Sequence, residues 1–292
     1  MREELESHLM CLDDGSYYAH YHDLILVSAF QPIFTPDGNV FAYEALLRIF
    51  NSSQQLIDTG NIIHAYQLEQ THLINLDRLA RVIHLRNFAH SFSTSNLFIN
   101  MAPVAIIDGN RQQLTESIFL PRLFELGLSP ERIYIEILEH YCENDKDLVH
   151  AINSYHRRGF KIAIDDYGVA GSAEQRTRAL NPNLIKMDKS LLQDYLNGNP
   201  MPMQDAIALA REIGSKVLIE GIEDKACYLA AITLGADFFQ GYYMGRPKMV
   251  SSIFTTPHHQ KPITSGKTLL PEQGADHKYF LNPGFWSLDP EF

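Results

Sequence analysis

Several apolar runs of the 292-residue chain end on oxygen-bearing side chains. Leu97-Phe98-Ile99 leads into Asn100, Ile162-Ala163-Ile164 into Asp165-Asp166, and Val217-Leu218-Ile219 into Glu220. Glu44 with Arg48, Glu136, Lys186, Glu223 and Gln240 stand at comparable places in other β-rich stretches. If the carboxy-terminal ends of these runs converge, five or more carboxylates share one mouth, and they repel unless a cation lies among them. Carboxylates plus one amide form an oxygen-only donor set, which suits Mg2+, Mn2+ or Ca2+ rather than thiolate-held zinc. Adjacent carboxylates at Asp165-Asp166 would let one of them bridge two ions, and paired ions about 3.5–4 Å apart are a recurrent device for cleaving phosphodiesters. Alternation along a strand also puts Glu44, Leu46 and Arg48 on one face.

Such convergence requires strands in a fixed order, and the chain offers eight candidates. The first two, about Leu26 to Phe34 and Val40 to Ile49, flank Thr35-Pro36-Asp37-Gly38-Asn39, a tight-turn signal, and are expected to form an antiparallel hairpin. Six more follow at Asn96 to Asn100, Ile133 to Ile137, Lys161 to Asp165, Leu184 to Met187, Lys216 to Glu220 and Asp237 to Gln240. Between and after them lie stretches of helical period, among them Asn75 to Phe88, Gln112 to Leu126, Asp145 to Arg158, Met203 to Ile213 and Asp224 to Leu234. Strand alternating with helix predicts an α/β protein, a (β/α)8 TIM-like barrel with one antiparallel strand from the opening hairpin, although a doubly wound open sheet gives a similar pattern. In a barrel the strands' carboxy-terminal ends are where the chemistry sits.

The expected division is an accessory segment over residues 1–22, a barrel over 23–248 and a tail over 249–292 rich in Ser, Thr, Pro, Gly and His. A hydrophobic content of 45% supports a sizeable core, and the formal net charge of −11 argues against a non-specific DNA-binding surface, which rests on clustered Lys and Arg. It does not exclude a nucleotide held through cations. Three scattered cysteines without C-x-x-C spacing indicate neither a disulfide framework nor a zinc ribbon, and fit a cytoplasmic protein. The start lacks a signal peptide's features, and no apolar run reaches the length of a membrane span.

At this point the residues resemble the EAL-domain family of cyclic di-GMP phosphodiesterases, from about Gln31 to Pro247. The shared strings are Gln31-Pro32-Ile33, Glu44-Ala45-Leu46-Leu47-Arg48, Asn100, Glu136 with Glu139, Asp165-Asp166-Tyr167-Gly168, Lys186-Met187-Asp188, Glu220-Gly221-Ile222-Glu223 and Gln240-Gly241-Tyr242. The resemblance implies two-metal hydrolysis of cyclic di-GMP to the linear dinucleotide pGpG with Mg2+ or Mn2+, Ca2+ binding without turnover. It implies that Glu44, Asn100, Glu136 and Asp165 bind one ion, and Asp165, Asp166 and Glu220 the second. Lys186 would orient the attacking water, and Glu220 is also the general-base candidate. Arg48 would meet a phosphate, Leu46 would line the substrate wall, and Glu223 and Gln240 would support ligands or substrate. Glu139 would brace the loop after Asp166, and a homodimer is expected.

That loop departs from the family's pattern. Val169-Ala170-Gly171-Ser172-Ala173 replaces the usual Thr-Gly-Tyr-Ser-Ser, and His140 replaces a Ser. Two rival readings therefore stand beside the enzyme: a cyclic di-GMP receptor of little or no activity, and a protein-interaction domain. Regulatory input would reach the site through either terminal segment or a protein partner. The His20-x-His22 and His258-His259 pairs and Cys142 near His140 lack companion ligands or an orienting group, and structural roles are expected for them.

Overall fold

The computed structural model describes residues 7–66, 69–92, 94–138, 144–169 and 174–250. Its centre is a closed barrel of eight strands. β3 (Leu24–Phe34) and β4 (Val40–Asn51) form the opening hairpin, closed by Gly38 at φ 80° and by hydrogen bonds linking Thr35 with Asn39 and Gly38. From β4 the barrel continues in parallel through β6 (Asn96–Asn100), β7 (Ile133–Leu138), β8 (Lys161–Tyr167), β9 (Leu184–Met187), β10 (Lys216–Ile219) and β11 (Phe238–Phe239). Antiparallel pairing of Phe239 with Phe34 joins β11 back to β3, so β3 alone runs against the others. This closure excludes the open-sheet alternative. A short strand β12 (Lys248–Met249) returns along β3 opposite Ala29 and Phe30.

The helices are α1 (Thr59–Tyr66), α2 (Gln70–Ser91), α3 (Pro103–Arg111), α4 (Leu120–Glu125), α5 (Asp145–Arg157), α6 (Glu174–Leu180), α7 (Lys189–Leu196), α8 (Met201–Glu212) and α9 (Lys225–Thr233). α5 illustrates why they form. Asn144 caps it by accepting a hydrogen bond from Asp147 N, and Leu148, Ala151, Ile152 and Tyr155 repeat at the spacing that buries one face. The helix expected over 112–126 is instead broken. Gln113 takes a left-handed φ of 54°, a π-helical turn spans Thr115–Phe119, and α-geometry restarts at Leu120 with Pro121 in the first turn, where its missing N–H costs nothing.

Residues near the amino terminus join the sheet. β1 (Leu9–Cys11) pairs with β2 (Tyr17–Tyr21), and β2 pairs with Leu24 to Leu26 of β3 on the hairpin's far end; β5 (Leu56–Ile57) flanks β4 there. Tyr17 and Tyr21 pack toward Leu76, Leu79 and Ile83 of α2, and Tyr18 toward Ile25, Val27 and Phe50. Asn87 of α2 secures the join, accepting from Tyr17 N at 2.7 Å and donating to Tyr17 O at 2.8 Å. Among the described residues no helix is long and apolar enough to cross a membrane.

Candidate functional site

An apolar plug inside the barrel explains where the polar residues must go. Ile33, Ala42, Phe98, Ala163, Leu184 and Leu218 are buried together, with Tyr134 and Phe238 packed against them; the Phe98 and Tyr134 rings stack at 4.2 Å. Side chains two positions further along a strand face the same way. Two residues after these plug positions come Glu44, Asn100, Glu136, Asp165, Lys186, Glu220 and Gln240. On reversed β3 the equivalent is Gln31, two residues before Ile33. The site is thus one layer of inward-facing side chains lying on an apolar floor.

Lys186, 1% exposed, sits at its centre. Its Nζ is 2.6 Å from Glu136 Oε1, 2.7 Å from Asp165 Oδ1, 2.7 Å from Glu220 Oε1 and 3.5 Å from Glu44 Oε1. Gln240 Nε2 donates to Glu44 Oε2 at 2.7 Å. Burial works to strip Lys186 of its proton, but the surrounding carboxylates, Asp165 foremost, hold its ammonium well above the ordinary lysine value. Burial likewise drives Glu136 well above the carboxylate range and Glu220 up to about 8, against the pull of Lys186. Four carboxylates around one ammonium remain short of positive charge.

Asp165 and Asp166 both reach this layer because β8 is irregular. Ile164 pairs with Ile185 and Tyr167 with Met187, so two aspartates lie opposite the single residue Lys186. Asp166 takes a left-handed φ of 53° at this bulge. In a regular strand their side chains would face opposite ways.

The donor set fits divalent cations. Carboxylate oxygens of Glu44, Glu136 and Asp165 lie within 4.8 Å of one another, as do those of Asp165, Asp166 and Glu220, so Asp165 belongs to both groups. Glu136 Oε2 and Gln240 Oε1 are buried without a hydrogen-bond partner among the described residues, a state that a bound cation or its waters would relieve. Asn100 is exposed at the end of β6, paired in register with Glu136. Neither the His20–His22 pair nor any other histidine joins a metal-sized cluster among the described residues.

Above the layer opens a cavity of about 280 Å³ whose lining includes Glu44, Glu220, Glu223 and Gln240. Leu46 and Arg48 stand further along the same face of β4 and do not line it; burial lowers the Arg48 pKa, and the negative charge of Glu44 opposes that. The cavity wall also contains Gln31, Asp188, Lys189 and Tyr242, to which the sequence reading gave no role. Gln31 donates to Gly245 O at 3.0 Å, and Asp188 caps α7 by accepting from Ser190 N. Gln31, Asp188 and Tyr242 belong to the strings that carry the resemblance, Asp188 and Tyr242 beside Lys186 and Gln240, whereas Lys189 lies one residue beyond them. A Cβ on Gly241 would lie 2.0 Å from Ile222 O, which accounts for the glycine after Gln240. Val169 is exposed, whereas Glu139, His140, Cys142, residues 170–173 and His258-His259 lie outside the described residues.

The chain is similar in sequence and fold to known proteins. An uncharacterized EAL-domain containing protein of Bacillus subtilis, YkuI, is 30% identical over 231 residues, covering 75% of this chain and 54% of the relative. The crystal structure of YkuI in complex with substrate c-di-GMP and calcium superposes with a TM-score of 0.67 at 26% identity, over 77% of this chain and 55% of that one. The cyclic di-GMP phosphodiesterase CdgJ of Vibrio cholerae is 25% identical over 234 residues, 78% of this chain and 46% of the relative. The chain therefore spans about half the length of these two relatives. The EAL domain model matches residues 23–247, and the chain belongs to the EAL domain family.

Proposed function

We propose that the barrel hydrolyses one phosphodiester bond of cyclic di-GMP, giving linear pGpG, with Mg2+ or Mn2+ held at the barrel mouth. The observation that carries this reading is the pair of carboxylate groups sharing Asp165 on the floor of an open cavity. Glu44, Asn100, Glu136 and Asp165 would hold one cation, and Asp165, Asp166 and Glu220 the other. Bound cations supply Lewis acidity, drawing charge from phosphate oxygens and acidifying an attacking water. Lys186 Nζ, held among its carboxylate neighbours, would orient that water, and Glu220 would take its proton. Glu223 and Gln240 would contact the nucleotide from the cavity wall, while Arg48, with Leu46 beside it further along β4, would offer a planar guanidinium to a phosphate that reaches past the cavity. The phosphodiesterase named among the relatives and the c-di-GMP in the YkuI complex support the choice of substrate.

The departure of Val169–Ala173 from the family's loop favours a second reading, a receptor that holds the dinucleotide without cleaving it. One experiment separates the two. Purified protein incubated with cyclic di-GMP and Mg2+ or Mn2+ is expected to release pGpG, and Glu44→Ala to release none. Binding by calorimetry without product under either ion would establish the receptor and sink the enzyme.

A further inference from the structure

The side chain of Asn100 makes no hydrogen bond among the described residues, so its position depends on the backbone that carries it. That backbone is held at the next two residues. Met101 N donates to Glu136 O at 3.1 Å, and Ala102 N donates to Asp77 Oδ2 at 2.8 Å. Asp77 belongs to α2, is only 7% exposed, and lies outside every string that carries the family resemblance.

α3 begins at Pro103 on Ala102, a residue with no side-chain acceptor to cap it. The negative charge favoured at a helix amino terminus comes from Asp77 on the neighbouring helix. Arg81, one turn along α2, pairs with Asp77 Oδ1 at 2.5 Å, directs Nη1 toward Met101 Sδ at 3.7 Å, and lies over the Phe119 ring at 5.6 Å. Arg78 joins Asp108 on α3. Two side chains of α2 thus hold the segment just past Asn100, and a third ties α2 to α3. Burial raises the Asp77 pKa, and Arg81 and the Ala102 N–H oppose that rise.

We infer that Asp77, braced by Arg81, is a positioning residue that sets Asn100 for the cation at the barrel mouth. The inference rests on the proposed metal-ligand role of Asn100. Loss of an outer partner of a metal ligand typically costs 10–100-fold in metal affinity or activity.

The test is Mn2+ affinity of the intact chain, measured by calorimetry and by the electron paramagnetic resonance of free Mn2+, with circular dichroism to check the fold. Asp77→Ala is expected to weaken Mn2+ binding about tenfold or more. Asp77→Asn, whose amide oxygen still accepts from Ala102 N, is expected to recover part of the loss, and it carries the test if Asp77→Ala fails to fold. In an Asn100→Ala background, Asp77→Asn should cause no further loss, because the group it positions is gone. Wild-type affinity in both folded Asp77 variants, beside a weakened Asn100→Ala, overturns the positioning role alone. An equal further loss in the Asn100→Ala background overturns it too, by showing a general structural effect. Unchanged affinity in Asn100→Ala removes the ligand assignment, and this inference with it.

Discussion

Lys186 stands opposite two residues of the neighbouring strand rather than one, and its ammonium lies 2.7 Å from the first of them, Asp165. The extra residue is Asp166. A bulge here does what a regular strand cannot, bringing consecutive carboxylates to one side of the barrel.

Asp166 should therefore discriminate sharply between substitutions. Asn tolerates the left-handed φ of 53°, whereas a β-branched residue does not. Asp166→Val is expected to lose about 1–2 kcal/mol more stability than Asp166→Asn, from strain at that φ. Both should lower the Mn2+ stoichiometry from two to one. Urea melts and titration calorimetry check the two effects separately, and equal stabilities would refute the strain.

Removing Lys186 tests the electrostatics of the floor. Lys186→Met leaves Glu136 and its neighbours buried without a cation, which is expected to cost about 3–5 kcal/mol when divalent ions are chelated. Adding Mn2+ should then raise the melting temperature of the variant more than that of the wild type. A smaller rise in the variant would count against the carboxylates as the binding site.

Acid stability should depend on His84. Burial, aided by the positive charge of Arg48, lowers its pKa from 6.5 to about 3, and its Nδ1 is hydrogen-bonded to Ser28 Oγ at 2.8 Å. The folded imidazole stays neutral while the unfolded one takes up a proton below pH 6.5. Its contribution is therefore complete above pH 6.5 and is lost as pH falls toward 3, by about 1.4 kcal/mol per unit once the unfolded residue is protonated. His84→Gln should flatten this slope. Parallel slopes for the two proteins, from urea melts at about pH 7.5 and pH 5, would contradict the assignment.

The site was legible because of its floor. Glu44, Asn100, Glu136, Asp165, Lys186, Glu220 and Gln240 each follow an inward apolar residue by two positions, so strand runs and polar ends appear together in one dimension. Closure was not, since it turns on Phe239 meeting Phe34 some 200 residues away. The strands at Leu9–Cys11 and Tyr17–Tyr21 were hidden for the same reason. They are too short to show a period, and Asn87, which holds the second, lies 70 residues from Tyr17. Asp77 carried no signal at all, because its value lies in a hydrogen bond to Ala102 that no local pattern encodes.

Gly241 gives the final prediction, because it links the floor to the cavity wall. Ile222 N donates to Gln240 O and Tyr243 N to Ile222 O, so the turn after β11 wraps the backbone that connects Glu220 with Glu223. A Cβ on Gly241 would sit 2.0 Å from Ile222 O and 2.3 Å from Ile222 N, and rigid backbone cannot yield as a side chain would. Gly241→Ala must push the turn away, carrying Gln240 from its 2.7 Å hydrogen bond to Glu44 and shifting Glu223 in the wall. The expected cost is about 1–3 kcal/mol of stability. Affinity for cyclic di-GMP should fall further than that of Gln240→Ala, since the glycine variant displaces both walls and the other removes one side chain. Calorimetry on the two variants and the wild type decides it: wild-type affinity in Gly241→Ala would show that Gly241 serves the fold alone, and affinity equal to that of Gln240→Ala that it acts through Gln240 only.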